Sequence, residues 1–217
     1  MIKGIIFDVD GVILDSLPRW MTAGYDYVKS CGKTPDENLG DLVYDKSFKE
    51  GTQFIKDRYG LDQPREEIEE GINQVIQDFY LKNPVLKEGL LDLLKFYKDR
   101  DLGMVVCTQT ARRLIEGAFD RLGILDYFQA IYTTAEMDRG KDHPDIYLRG
   151  LETLNLSSKE VLLLEDSLFA LKTGHDLGLK TALVEDPYNR EDKKGMEAYV
   201  DLRVSDFLKF IERGAGL

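Results

Sequence analysis

The chain has 217 residues, 43% of them hydrophobic and 32% charged, enough to bury a core without a disulfide or metal staple. Its 29 basic and 40 acidic side chains leave a net charge of −11, which argues against a nucleic-acid binder because that role needs a basic face for phosphates. No run of about 18 apolar residues reads as a membrane span, and Asp8 and Asp10 interrupt the apolar N-terminus too early for a signal peptide.

In chain order, Lys3 to Asp8 (KGIIFD) is a short apolar run of the kind that forms a strand covered on both faces. Residues 16–83 then carry helical spacing at Trp20 to Val28, Phe48 to Tyr59 and Ile68 to Tyr80, with no convincing strand, and Asn83-Pro84 closes the segment. Leu90, Leu91, Leu94 and Tyr97 predict a helix. Strands follow at Met104 to Thr108, more weakly at Ala130 to Thr133, and at Val161 to Asp166 and Thr181 to Val184. Between them Leu114 to Leu122 predicts a helix stopped by Gly123, Pro144 opens another, and Ser167 and Gly178 bracket a third. This alternation predicts an α/β fold: a doubly wound parallel sheet, Rossmann-like, over 1–15 and 84–217, with an α-helical cap domain inserted at 16–83. Cys31 and Cys107 are too far apart for a redox or zinc motif and read as reduced thiols of a cytoplasmic protein.

Ligands of open α/β sheets bind beyond the carboxyl ends of the strands. Those ends present Asp8 and Asp10, Thr108, and Glu165 with Asp166, and Lys141 lies in the loop after the weaker strand. Taken singly, each has a plainer reading as a turn former or a cap. Together, four carboxylates at one edge repel one another unless a cation lies among them. Oxygen-only donors point to Mg²⁺. Four carboxylates and one ammonium sum to minus three, which excludes a phosphate dianion. A divalent cation brings the sum to minus one. The remaining groups suit phosphoryl transfer. Asp8, ionised without help, can attack phosphorus, and Asp10 can protonate the leaving oxygen and later take a proton from water. Thr108, Lys141 and the backbone N–H of Gln109 can hold the transferring oxygens.

These residues resemble the haloacid-dehalogenase superfamily. FDVDGVILDS (Phe7 to Ser16) is similar to its first motif, Thr108 in VVCTQT to its second, Lys141 in GKDHPDIY to its third and Glu165-Asp166 in LLLEDS to its fourth. The resemblance implies Asp8 as nucleophile and Asp10 as general acid/base. It implies Mg²⁺ held by Asp8, the backbone carbonyl of Asp10, Glu165 and Asp166, some through water. Gln109 stands where the family often has Asn, and Asp142 where it often has Pro. β-Phosphoglucomutases of the family carry a cap His twelve residues after the nucleophile. Here that residue is Trp20, and the segment Gly40 to Ser47 offers Lys46 but no Arg. The resemblance therefore favours hydrolysis of a small phosphorylated metabolite, such as a sugar phosphate, over mutase action. A phospho-Asp receiver module and a catalytically idle binding protein are the remaining alternatives. Arg19, Trp20, Tyr44 and Lys46 are the candidate specificity residues of the cap, and each also fits packing or a solvated helix face. His143 reads as a loop residue and His175 as a helix-face residue.

Overall fold

Gly4–Phe7 (β1) is buried along its whole length, as a strand covered on both faces must be. In the computed structural model, which describes residues 1–137, 139–189, 195 and 197–217, β1 lies inside a parallel sheet. The other strands are Gly103–Thr108 (β2), Ala130–Thr133 (β3), Val161–Glu165 (β4), Lys180–Val184 (β5) and Leu202–Val204 (β6). Their order is β3-β2-β1-β4-β5-β6, every pair parallel, so the direction of winding reverses between β1 and β4. The chain divides into two compact units, Met1–Asp15 with Pro84–Leu217, and Ser16–Asn83.

The first unit carries the sheet and the helices Leu90–Lys98 (α5), Arg112–Leu122 (α6), Asp145–Leu154 (α7), Leu168–Asp176 (α8) and Phe207–Glu212 (α9). Each turns an apolar stripe inward: Leu114, Ile115, Ala118 and Phe119 are the buried residues of α6, and Gly123 ends it in the left-handed region at φ +67°. On one face, Ile146, Tyr147 and Leu151 of α7 pack on Ile6, Val105, Cys107 and Leu163. Gly150 permits that close approach, because a Cβ there would stand 3.2 Å from both Ile6 and Val105. Each fully buried aliphatic side chain in such a cluster contributes about 1.5–3 kcal/mol. Phe7 meets the rings of Tyr97 and Phe128 edge-on. The chain leaves and re-enters this unit at one place. Asp15 N donates to Val85 O at 2.9 Å and Lys87 N to Ile13 O at 3.0 Å, an antiparallel contact centred on Leu14 and Leu86.

The second unit is α-helical: Leu17–Ser30 (α1), Leu39–Val43 (α2), Phe48–Tyr59 (α3) and Arg65–Lys82 (α4). Pro18 opens α1, where its missing N–H costs nothing. Ser47 and Glu50 close a reciprocal capping box on α3. Ala23 and Val28 of α1, Ile55 of α3, and Ile68, Ile72 and Ile76 of α4 are buried. No helix among the described residues is long and apolar enough to cross a membrane.

Candidate active site

The reversal between β1 and β4 leaves a crevice beyond their carboxyl ends, where loops on either side diverge. Phe7 of β1 lies opposite Leu164 of β4, and Asp8 N donates to Leu164 O at 3.0 Å. That register puts Asp8, which follows β1, beside Glu165 at the end of β4 and Asp166 just after it. Carboxylate oxygens of Asp8, Glu165 and Asp166 lie within 4.8 Å of one another, and all three residues are buried. Lys141, 2% exposed, reaches into them from the loop after β3. Its Nζ donates to Asp8 Oδ1 and, at 2.5 Å, to Glu165 Oε1. Two of the three ammonium N–H groups are used in these bonds.

Burial raises the Asp8 carboxyl to about 7, with the Glu165 charge adding to the rise and Lys141 opposing it. Burial likewise lifts Asp166 well above the carboxylate range, reinforced by Glu165 and Asp8. Burial works to lower Lys141, but the Asp8 and Glu165 charges override it and hold the ammonium well above its usual value. The cluster thus has more negative charge than one lysine compensates. Hard oxygen donors, close together and short of positive charge, fit a divalent cation of the Mg²⁺ type.

The four carboxylates are not equivalent. Glu165 is wholly buried, and beyond Lys141 its Oε2 accepts from Asp166 N, Ser167 N and Ser167 Oγ. Ser167 stands at the N-cap of α8, but its hydroxyl makes no cap bond. The expected cap is replaced by a charge-assisted bond to a buried carboxylate, which is the stronger of the two. Asp10 is half-buried, and its carboxylate lies outside the three-residue cluster. Its Oδ2 accepts from Thr110 Oγ1 at 2.5 Å. Thr108, fully buried at the end of β2, accepts from Thr110 N at 3.1 Å and keeps its own O–H to donate. Gln109, next to it, is exposed.

Three further groups join the site, and two of them close motifs quoted above: Thr110 ends VVCTQT and Tyr147 ends GKDHPDIY. Thr110 engages Asp10 across a separation of 100 residues. Asn189 Nδ2 donates to Asp166 O at 2.7 Å and Oδ2 at 3.3 Å. Tyr147, buried on α7, has a hydroxyl with no hydrogen-bond partner among the described residues. Beside the cluster, Cys107 is inert as a thiol, pushed up to about 12 by burial.

The four candidate specificity residues belong to the Ser16–Asn83 unit. Trp20 and Lys46 line one cavity of about 260 Å³, whose walls include Val43, Phe48, Ile55 and Ile72. Trp20 Nε1 donates to Tyr80 Oη at 3.2 Å, and Lys46 Nζ sits 5.5 Å above the Phe54 ring. Arg19 is instead paired with Asp26 at 2.5 Å, and Tyr44 follows the last residue of α2. His143 and His175 are both substantially exposed, His175 edge-on to Tyr199.

The chain is similar to known proteins. The chain is 26% identical over 182 residues to the phosphorylated carbohydrates phosphatase of Thermotoga maritima, covering 82% of each chain. It is 25% identical over 193 residues to the N-acetylmuramic acid 6-phosphate phosphatase of Pseudomonas aeruginosa, covering 86% of this chain and 83% of that one. Among solved structures, β-phosphoglucomutase from Clostridium difficile superposes with a TM-score of 0.67 at 20% identity, covering 100% of this chain and 97% of that one. This likeness carries the fold alone. The profile of the haloacid dehalogenase-like hydrolases matches residues 5–184, from β1 through β5 and so across every strand end that bears a candidate group, and the chain belongs to that family.

Proposed function

We propose that this protein is a Mg²⁺-dependent phosphatase that hydrolyses a small phosphorylated metabolite, a sugar phosphate, through an aspartyl-phosphate on Asp8. The observation that carries the reading is Lys141 bridging Asp8 and Glu165 beside Asp166, at the point where the sheet reverses its winding. Asp8, Asp166, the backbone carbonyl of Asp10 and, at longer range, Glu165 would hold the cation. When bound, it supplies the positive charge that this cluster lacks and neutralises phosphoryl oxygens.

In the first step an Asp8 oxygen forms a bond to phosphorus as the bond to the ester oxygen breaks, and Asp10 gives its proton to that departing oxygen. In the second, a water oxygen attacks the phosphorus of the aspartyl-phosphate. Asp10 takes the water's proton and Asp8 departs as carboxylate. Lys141, the Thr108 hydroxyl and the Gln109 backbone N–H steady the three transferring oxygens. Residues 16–83 act as a cap that selects the substrate. Trp20 engages Tyr80 where a mutase of this family would offer an imidazole, which favours water as the final acceptor. The names of the related enzymes, a phosphorylated carbohydrates phosphatase and an N-acetylmuramic acid 6-phosphate phosphatase, support a sugar phosphate as substrate. The two free cysteines suit a reducing cytoplasm.

A phosphate-release screen over phosphorylated sugars, with and without Mg²⁺, tests the proposal. Metal-dependent inorganic phosphate is expected. An isomerised sugar phosphate without release would favour a phosphomutase instead.

A further inference from the structure

We infer that Thr110 is a positioning residue that orients the Asp10 carboxyl group for its two proton exchanges; this rests on the phosphatase reading above. Thr110 lies two residues beyond β2, in the turn that leads into α6. Its backbone N–H is tied to Thr108 Oγ1 at 3.1 Å, so the turn folds back on the end of its own strand. That turn carries the Thr110 hydroxyl onto Asp10 Oδ2 at 2.5 Å, the short distance of a bond to a charged acceptor.

An aspartate that serves both half-reactions has a geometric problem. It must hand a proton to the leaving ester oxygen, then collect one from water attacking the same phosphorus, with the same oxygen facing the reaction each time. A side chain with two rotatable bonds takes such an orientation from the hydrogen bonds it makes, and the one from Thr110 is short. Thr110 donates to Oδ2, and that bond limits rotation of the carboxyl group. When Asp10 has given up its proton to the leaving oxygen, the bond from Thr110 becomes charge-assisted and holds the carboxylate in place for the second step. Thr110 itself touches neither phosphorus nor leaving group. It acts through Asp10, and its loss should be felt in proportion to how much a substrate needs a proton on departure.

The test compares two esters on the full-length enzyme with Mg²⁺ present. 4-Nitrophenyl phosphate releases a stable anion that needs little protonation, whereas a hexose 6-phosphate releases an alkoxide that must be protonated. The comparison uses kcat/KM, which reports only the steps up to formation of the aspartyl-phosphate. For Thr110→Val, kcat/KM on the hexose phosphate should fall about 10- to 100-fold, and on 4-nitrophenyl phosphate by less than about 3-fold. Thr110→Ser, which keeps the hydroxyl, should restore the hexose phosphate value to within about 3-fold of wild type. Should the valine variant not fold, Thr110→Ala carries the same comparison. Equal losses on both esters, no loss on either, or failure of the serine variant to rescue would make Thr110 a turn residue only and overturn the inference. A wild-type enzyme that releases phosphate from neither ester overturns the underlying phosphatase reading instead, and this inference with it.

Discussion

Lys87 and Asp186 form an ion pair inside the core unit, with the Asp186 side chain 1% exposed and the Lys87 side chain 15% exposed. Lys87 immediately precedes the turn into α5, and Asp186 follows β5 and also accepts from Tyr188 N at 2.8 Å. The pair fastens the segment that returns after residue 83 to the far side of the sheet. Removing one partner strands the other charge without compensation, the costly way to break a buried pair. Lys87→Met should therefore destabilise the protein by about 3 kcal/mol, read from urea denaturation midpoints. The double variant Lys87→Met with Asp186→Leu should recover most of that loss. A single variant as stable as wild type would mean that solvent already screens the pair.

Asp8 gives the metal-free protein a pH signature. Its carboxyl titrates near 3.8 when unperturbed and at about 7 when folded, chiefly through burial. The folded state therefore binds more protons than the unfolded one over that interval, and stability falls as pH rises from about 4 to about 7. Asp8→Asn removes this component. In chelator, calorimetric Tm values of variant and wild type should diverge across the window in the variant's favour, and magnesium should narrow the gap. The same variant should lose turnover by about 1,000-fold or more, because an amide does not attack phosphorus. Parallel Tm curves would show that Asp8 ionises without cost.

Asp166→Ala should weaken magnesium binding at least about 10-fold, measured by titration calorimetry on chelator-treated protein. Glu165→Gln should act differently. Glu165 already accepts hydrogen bonds from Lys141, Asp166 N, Ser167 N and the Ser167 hydroxyl, so its loss should lower stability as well as affinity. Equal effects of the two substitutions on both readouts would refute this division.

Tyr147→Phe should be neutral or should stabilise the protein by about 1 kcal/mol, since it removes a buried hydroxyl that has no partner among the described residues. A loss of more than about 1 kcal/mol in denaturation experiments would reveal a partner for that oxygen.

Most strands were legible because both faces of a parallel strand are covered, so GIIF, MVVCT and VLLLE read as unbroken apolar runs. The edge strand β6 was not. It has three residues with the exposed Arg203 at its centre, too short and too polar for a periodic signal. The five-residue helix α2 escaped for the same reason. Asp8, Lys141, Glu165 and Asp166 could be anticipated together because strand ends converge in any doubly wound sheet. The Thr110, Ser167 and Asn189 bonds depend on how individual turns fold back, which spacing does not encode. The inserted helices illustrate this further: of the four expected specificity residues, Trp20 and Lys46 share one cavity, while Arg19 is taken up by Asp26.

The backbone bonds joining Asp15 to Val85 and Ile13 to Lys87 have a modular consequence. The sheet-bearing unit closes its own main-chain ladder below the junction, as a hairpin stem does beneath its loop. Everything from Ser16 to Asn83 is thus a graft on a finished stem. A tight turn, or a different helical cassette, could be spliced in at the same point without orphaning a single donor or acceptor in that ladder.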